Sequence, residues 1–280
     1  MRLKIPVVIA VAVIAAPCST VHAQTVDVGT GNRLIAGLGV STVPDYEGSD
    51  ERRLAPVPVL AGQQGGYAFT VIGNRASIDL IRNEPGPVWD IQAGPAATLN
   101  LNRSSSSSIS DARVRALGSI SPALEIGGFV GVAKTGVLTS AYDNLSLRIA
   151  YRRDVTGISR SSVLTPTISY LTPLSPRSLV SVFVSADRVG DGYAETYFSV
   201  SAAGAAASGL PVFTAHRGWK NVTAGGFATR SLTGDLRGGI SVVGGVVYRR
   251  LAGDFAASPI TAIAGSRHQW TGELGLAFTF

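Results

Sequence analysis

QWTGELGLAFTF, residues 269–280, carries two interleaved sequences. Counting back from Phe280, every second residue is Phe278, Leu276, Leu274, Gly272 and Trp270, whereas the residues between them are Thr279, Ala277, Gly275, Glu273 and Thr271. Successive side chains point to opposite faces only in an extended strand, so one face is apolar with aromatics at both ends and the other is small or polar. NLSLRIAYRR, residues 144–153, repeats the pattern, with Leu145, Leu147, Ile149 and Tyr151 opposing Ser146, Arg148, Ala150 and Arg152.

Which medium wets the apolar face follows from composition. The chain has 280 residues, of which only 15% are charged, against about 25% in soluble domains. No apolar run beyond the N-terminus approaches the ~18 residues of a spanning helix. That leaves a secreted all-β protein or a membrane barrel. A soluble sandwich turns its apolar face inward, whereas a barrel turns it to lipid and keeps polar residues in the lumen. Three features favour the barrel. Aromatics gather near strand ends, the polar positions hold small residues rather than Lys and Glu, and the chain ends on Phe280 at the close of an alternating strand. Phe280 resembles the terminal signature by which bacterial outer-membrane barrels are recognised for assembly.

Residues 1–23 read as a secretory signal: basic MRLK, apolar Ile5–Ala16, and a small-x-small exit at Val21–Ala23. Pro17 stands where a lipidation box needs a small residue before Cys18, so Cys18 leaves with the signal and the mature chain, 24–280, has no cysteine. Disulfides and thiol chemistry are thereby excluded. Removing Arg2 and Lys4 leaves 22 basic against 18 acidic residues. A nucleic-acid binder would show a denser basic stripe.

Alternation and turn residues predict twelve strands, at 31–42, 56–63, 66–73, 76–82, 88–100, 118–133, 145–153, 162–172, 179–189, 217–230, 236–250 and 268–280. The expected fold is an all-β, transmembrane antiparallel up-and-down barrel with both termini in the periplasm. Tight connections (GQQGG, NR, NEPGP, TPLSPR, TGD) are expected mostly on one side. Long ones (43–55, 101–117, 154–161, 190–216, 251–267) are expected on the other, with KTGVLTSAYDN, 134–144, as a long exception on the short side. The charged cluster from Asp45 to Arg53 then reads as a solvated, self-paired outer loop near lipopolysaccharide headgroups, displaced there because lipid-facing strands exclude charge.

The chain resembles the MipA/OmpV family of outer-membrane proteins in three blocks. The first is Pro44, Asp45, Tyr46, Glu47, Gly48, Ser49 and Asp50, followed by Pro56 and Pro58. The second holds Tyr197, Phe198, Val200, Ser201, Ser208, Gly209, Leu210, Pro211, Gly218 and Lys220, and the third holds Tyr248, Leu251, Asp254, Ser258, Pro259 and Phe280. The middle, RSSSSSISDARVR, departs in detail. The resemblance implies an outer-membrane barrel in a Gram-negative cell. It also implies a non-enzymatic scaffold that joins a murein transglycosylase and a murein synthase; other family members are described as porin-like, osmotically regulated or adhesive. Expected partners are outer-membrane lipid, lipopolysaccharide and the barrel assembly machinery.

No cofactor, metal or catalytic constellation is expected. Lys134–Gly136 reads KTG, but no lysine has a serine three residues before it, as a Ser-x-x-Lys box requires. His216 and His268 lie in or beside long loops without a GxSxG elbow. Asp45, Glu47, Asp50 and Glu51 lack the ordered spacing of a calcium loop. RSSSSSIS, 103–110, is expected as a flexible outer loop. AAGAAASG, 202–209, reads equally as a short helix or an extended plug. Arg148, Arg152 and Arg249 are candidate lumen charges, either biasing a narrow pore toward anions or pairing with Glu273 and Asp90 to plug the barrel. The periplasmic contacts of a scaffold would fall on 134–144 and QTVDVGTGNR; a solute pore or an adhesin acting through the outer loops are the alternatives.

Overall fold

The computed structural model describes residues 32–82 and 89–280; the expected signal, most of QTVDVGTGNR and the NEPGP turn lie outside them. Twelve antiparallel strands form the wall: β1 Arg33–Pro44, β2 Arg52–Gln64, β3 Tyr67–Ile72, β4 Arg75–Ile78, β5 Trp89–Asn100, β6 Ala123–Thr135, β7 Asn144–Asp154, β8 Ser162–Ser175, β9 Ser178–Val189, β10 Gly218–Ser231, β11 Gly239–Leu251 and β12 His268–Thr279. Each pairs with its sequence neighbours, and β1 pairs with β12 from Ile35↔Thr279 to Ser41↔Glu273, which closes the barrel. Closure pairs most of the wall's backbone N–H and C=O groups within the barrel, as hydrocarbon demands.

The alternation read from sequence is the alternation of the wall. Leu274, Leu276, Phe278 and Phe280 of the last segment are exposed outward, while Gly275, Ala277 and Thr279 are not. Leu147, Ile149 and Tyr151 of β7 are likewise exposed, with Ala150 and Arg152 buried inside. Exposed Trp219 and Trp270 mark the rim at one end, and exposed Trp89, Tyr67 and Phe280 the other. Such aromatic girdles bracket the hydrocarbon layer.

Turn chemistry explains the tight hairpins. Gly65 and Gly66 both take positive φ between β2 and β3, as a type I′ turn demands. Gly73 takes φ 58° at the first position of the Gly73–Asn74 turn between β3 and β4. That second turn corrects an expectation: by strand parity it lies at the outer end, among the long loops. Other boundaries also move. β2 begins at Arg52 rather than 56 and β4 ends at Ile78 rather than 82. Residues 118–122 are not strand, since Ile120 N–H bonds the Arg103 carbonyl in the outer loop at 2.9 Å.

Pro56 and Pro58 acquire a physical reason. The Pro58 carbonyl accepts Gly73 N–H at 2.9 Å, so the even residues of β2 turn their backbone groups toward β3. Yet β3 covers β2 only from Val59 to Gln64. Proline removes the donors where that edge stands bare. Inside the periplasmic half, Phe183 and Phe227 stack with centroids 6.3 Å apart. Gly225 and Gly245 make room for them, because a Cβ on either would lie 2.4 Å from the Phe183 ring or 2.1 Å from the Phe227 ring.

Candidate functional site: the capped interior

Four outer loops fold over the mouth, and three of them supply five short α-helices: α1 Ala112–Ala116, α2 Asp191–Phe198, α3 Ala202–Ser208, α4 Gly253–Ala257 and α5 Pro259–Ala262. Local signals start and stop them. The Asp111 carboxylate accepts the N–H groups of Arg113 and Val114 at 2.8 and 3.2 Å, and Ser201 Oγ accepts Gly204 N–H at 3.1 Å, both as N-caps. Gly209, with φ 73°, ends α3 in the left-handed region. Pro259 opens α5, where a missing N–H costs nothing. AAGAAASG is therefore a helix in the cap and not an extended plug. RSSSSSIS is equally organised, with its own Arg103 and Ile109 buried.

Two apolar clusters hold the cap together. Tyr193, Ala194, Tyr197, Phe198 and Phe255 pack on Val163, Val189 and Leu251 at the strand ends. Tyr46, Ile109, Val114, Val200, Leu210, Ile260 and Ala264 join the first loop to α1, α3 and α5. Burying so many large side chains at about 1.5–3 kcal/mol each gives the cap a core of its own.

The first loop is thus not the solvated, self-paired segment expected. Tyr46 is buried and donates its hydroxyl to the Ala264 carbonyl; burial, reinforced by Asp111, raises its pKa. Asp45 accepts Ser110 N–H at 2.9 Å. Gly48 has φ 102°, and a Cβ there would meet Thr261 Oγ1 at 2.5 Å. Ser49 Oγ accepts Glu51 N–H at 3.1 Å. Pro44 ends β1 and Gly218 begins β10. Asp254 accepts His216 N–H at 2.9 Å, and buried Ser258 donates to the Phe198 carbonyl. The loop residues of the family pattern, scattered in sequence, meet in one cap, whereas Pro56 and Pro58 lie in the β2 wall and Phe280 at the opposite end of the barrel.

Beneath it lies an ion network that the cap enters through Glu47. β10 carries a bulge between Trp219 and Asn221, and the extra residue puts Lys220 inside together with Asn221. Lys220, 4% exposed, places Nζ 2.7 Å from Glu47 Oε1 and 3.7 Å from Asp187 Oδ2. It also donates to Tyr193 OH at 3.0 Å, which donates to Glu47 Oε2 at 2.8 Å. Arg249 Nη1 lies 3.7 Å from Glu47 Oε1. Thr165 and Asn221 donate to Asp187 at 2.8 and 3.0 Å. Arg152 pairs with Glu125 at 3.5 Å. Three cations, Lys220, Arg249 and Arg152, therefore face three carboxylates, Glu47, Asp187 and Glu125.

Burial alone would raise the Glu47 pKa, but Lys220 and Arg249 outweigh it and hold the carboxyl below its usual range. A group whose pKa falls on folding stabilises above its unfolded value, about 4.3 for Glu, and loses that contribution as pH falls through the lower folded value. A spin label on Asp50→Cys in the mature chain is expected to stay immobile from pH 7 to about 4.3 and to gain motion only below it. In Glu47→Gln it should be mobile throughout. Release near pH 6 would contradict the assignment.

The expected lumen pairs are redrawn. Arg152 finds Glu125, not Glu273 or Asp90; the guanidinium of Arg148 sits 3.3 Å over the Phe129 ring. Glu273 accepts Ser41 Oγ at 3.4 Å, and Asp90 accepts Gln92 Nε2 at 2.9 Å. Asp90 lies near the periplasmic end of β5, opposite Ala133, so it is out of reach of Arg152 at the other end of β7. Lys220, Asp187, Glu125 and Tyr193 were not singled out as a site. The available signal was a lysine inside a strand of a chain whose only lysines beyond residue 23 are Lys134 and Lys220. Lys134 itself lies 5.2 Å over Trp89, an interfacial cation–π contact. His268 Nδ1 meets Tyr248 OH at 2.6 Å, and His216 N–H instead donates to Asp254. Among the described residues no group of three or more His, Cys, Asp or Glu is placed to hold a metal ion.

Apolar outside, ion-paired inside and roofed by its own loops, the molecule is a transmembrane β-barrel of the outer-membrane class. A family model described as MltA-interacting protein MipA matches residues 36–280. The chain belongs to that family and resides in the outer membrane. A search of curated proteins finds no match. Similar solved structures include a monoaromatic hydrocarbon channel, CymD, at 11% identity and TM-score 0.41, covering 88% of each chain. The Pseudomonas putida toluene transporter TodX follows at 12% identity and TM-score 0.36, covering 90% of this chain and 89% of its own. OprD from Pseudomonas aeruginosa has 8% identity and TM-score 0.31, covering 89% and 92%.

Proposed function

We propose that this barrel is a plugged, non-enzymatic outer-membrane anchor that docks a murein transglycosylase, and through it murein-remodelling machinery, on its periplasmic face. The observation that carries the reading is the long connection between β6 and β7. Asp143, 0% exposed, gathers the N–H groups of Val137, Leu138, Thr139 and Ser140. Tyr170 OH adds a bond to Asp143 at 2.7 Å, and Thr139 Oγ1 lies 2.8 Å from Thr172 Oγ1. A segment this pinned nonetheless holds Leu138 71% exposed at its tip, with exposed Leu174 on the adjacent strand. Rigid presentation of an apolar tip lowers the ordering cost of binding. The family description, which names an interaction with MltA, supports the same reading.

One loop falls short of the ~800 Å² per partner of a stable complex, so the contact extends over the neighbouring periplasmic turns and the N-terminal segment. Exposed Phe280, whose N–H bonds the Leu34 carbonyl at 2.9 Å, is proposed as the mark read by the assembly machinery. The filled mouth and paired interior speak against free solute passage. The test is retention of a purified lytic transglycosylase by the barrel immobilised in detergent. Replacing 137–142 with a two-residue Asn-Gly turn is expected to lower retention at least about tenfold with the barrel still folded. Unchanged retention by that variant, or none by the parent chain, refutes the docking role.

A further inference from the structure

The outer wall carries a groove that neither the barrel nor the docking reading uses. Val222, Ala224 and Tyr248 form its floor on the lipid-facing side of β10 and β11, and Ala257 of α4 overhangs it. Its volume is about 680 Å³, within the range of ligand-holding clefts, about 300–1,000 Å³. Arg250 and Arg267 line the same groove, and both are exposed. Neither has an acidic partner among the described residues. Two unpaired guanidiniums facing outward at a membrane boundary are out of place unless something anionic meets them.

Depth in the membrane identifies what that is. Register sets Tyr248 opposite Trp270 and Arg250 opposite His268, with Tyr248 and Trp270 in contact at 4.7 Å between centroids. This aromatic row is the outer interfacial belt, so the apolar floor lies at the acyl level and the two arginines one step above it, among headgroups. Guanidinium groups pair bidentately with phosphate. We infer that the groove is a binding site for a phosphorylated glycolipid of the outer leaflet, one acyl chain lying along Val222 and Ala224 and a headgroup phosphate held by Arg250 and Arg267.

Native mass spectrometry of the mature barrel in detergent reads the site directly, with a bis-phosphorylated, acylated glucosamine disaccharide as probe. Arg250→Gln combined with Arg267→Gln is expected to weaken binding about tenfold or more. Removing the phosphates from the probe should weaken it by a similar factor. Arg153→Gln, at an exposed arginine on β7 away from the groove, should change binding less than twofold. Ala257→Trp fills the groove while keeping both arginines, and it should also abolish tight binding, which covers the case of a double variant that does not fold. Full binding by Ala257→Trp, equal loss in Arg153→Gln, or equal affinity for phosphatidylglycerol would overturn the assignment.

Discussion

Replacing Lys220 with methionine is expected to cost about 3–5 kcal/mol, because it strands buried carboxylates rather than merely deleting a contact. Lys220 lies between Glu47 on the first loop and Asp187 on β9, and methionine fills its volume without its charge. Urea unfolding from lipid should show the loss. The cap should loosen with it, since Glu47 is how the first loop grips the interior; proteolysis at Arg52 and Arg53 would become faster. Adding Glu47→Gln removes one of the stranded charges and should recover part of the loss. A Lys220→Met barrel as stable as the parent would show that the network contributes nothing.

Asp143→Ala should act on the opposite end of the barrel and leave the wall intact. Burial by itself would raise the Asp143 pKa, yet the N–H groups of Thr139 and Val137 and the Tyr170 hydroxyl hold it far below the ordinary carboxylate value. Its substitution leaves several N–H donors without their acceptor, so the loop opens to water at a local cost of about 2–4 kcal/mol. Amide exchange in 136–143 should accelerate by about 30- to 1,000-fold, with little change in the strands. Retention of a transglycosylase should fall with it, if the loop's rigidity rather than its composition is what binds. Preserved exchange protection would mean that Asp143 does not organise the loop.

The strands were legible because their signal is local. QWTGELGLAFTF and NLSLRIAYRR each state which side chain meets lipid, and the barrel placed them so. The exception at 134–144 was legible for the same reason, since its length breaks the parity of connections. The cap was harder to read. PDYEGSDERR looks solvated by composition, yet Tyr46 needs Ala264, and Asp45 needs Ser110. Arg152 and Glu273 both sit on inward positions, but register and height along the wall give Arg152 to Glu125 instead.

Sequence alone determined the class of the molecule: lipid outside, polar interior and twelve strands, with most loops, the Gly73–Asn74 turn excepted, sorted to their ends. That much follows from a period of two along a chain too poor in charge to be wetted all round. Tertiary structure decided what the interior and the roof do. A bulge at Lys220 turns a wall residue inward, and a loop 173 residues away in sequence brings Glu47 to within 2.7 Å of it. Alternation belongs to one strand and can be counted; pairing across a lumen depends on the closed circle, which no single segment contains.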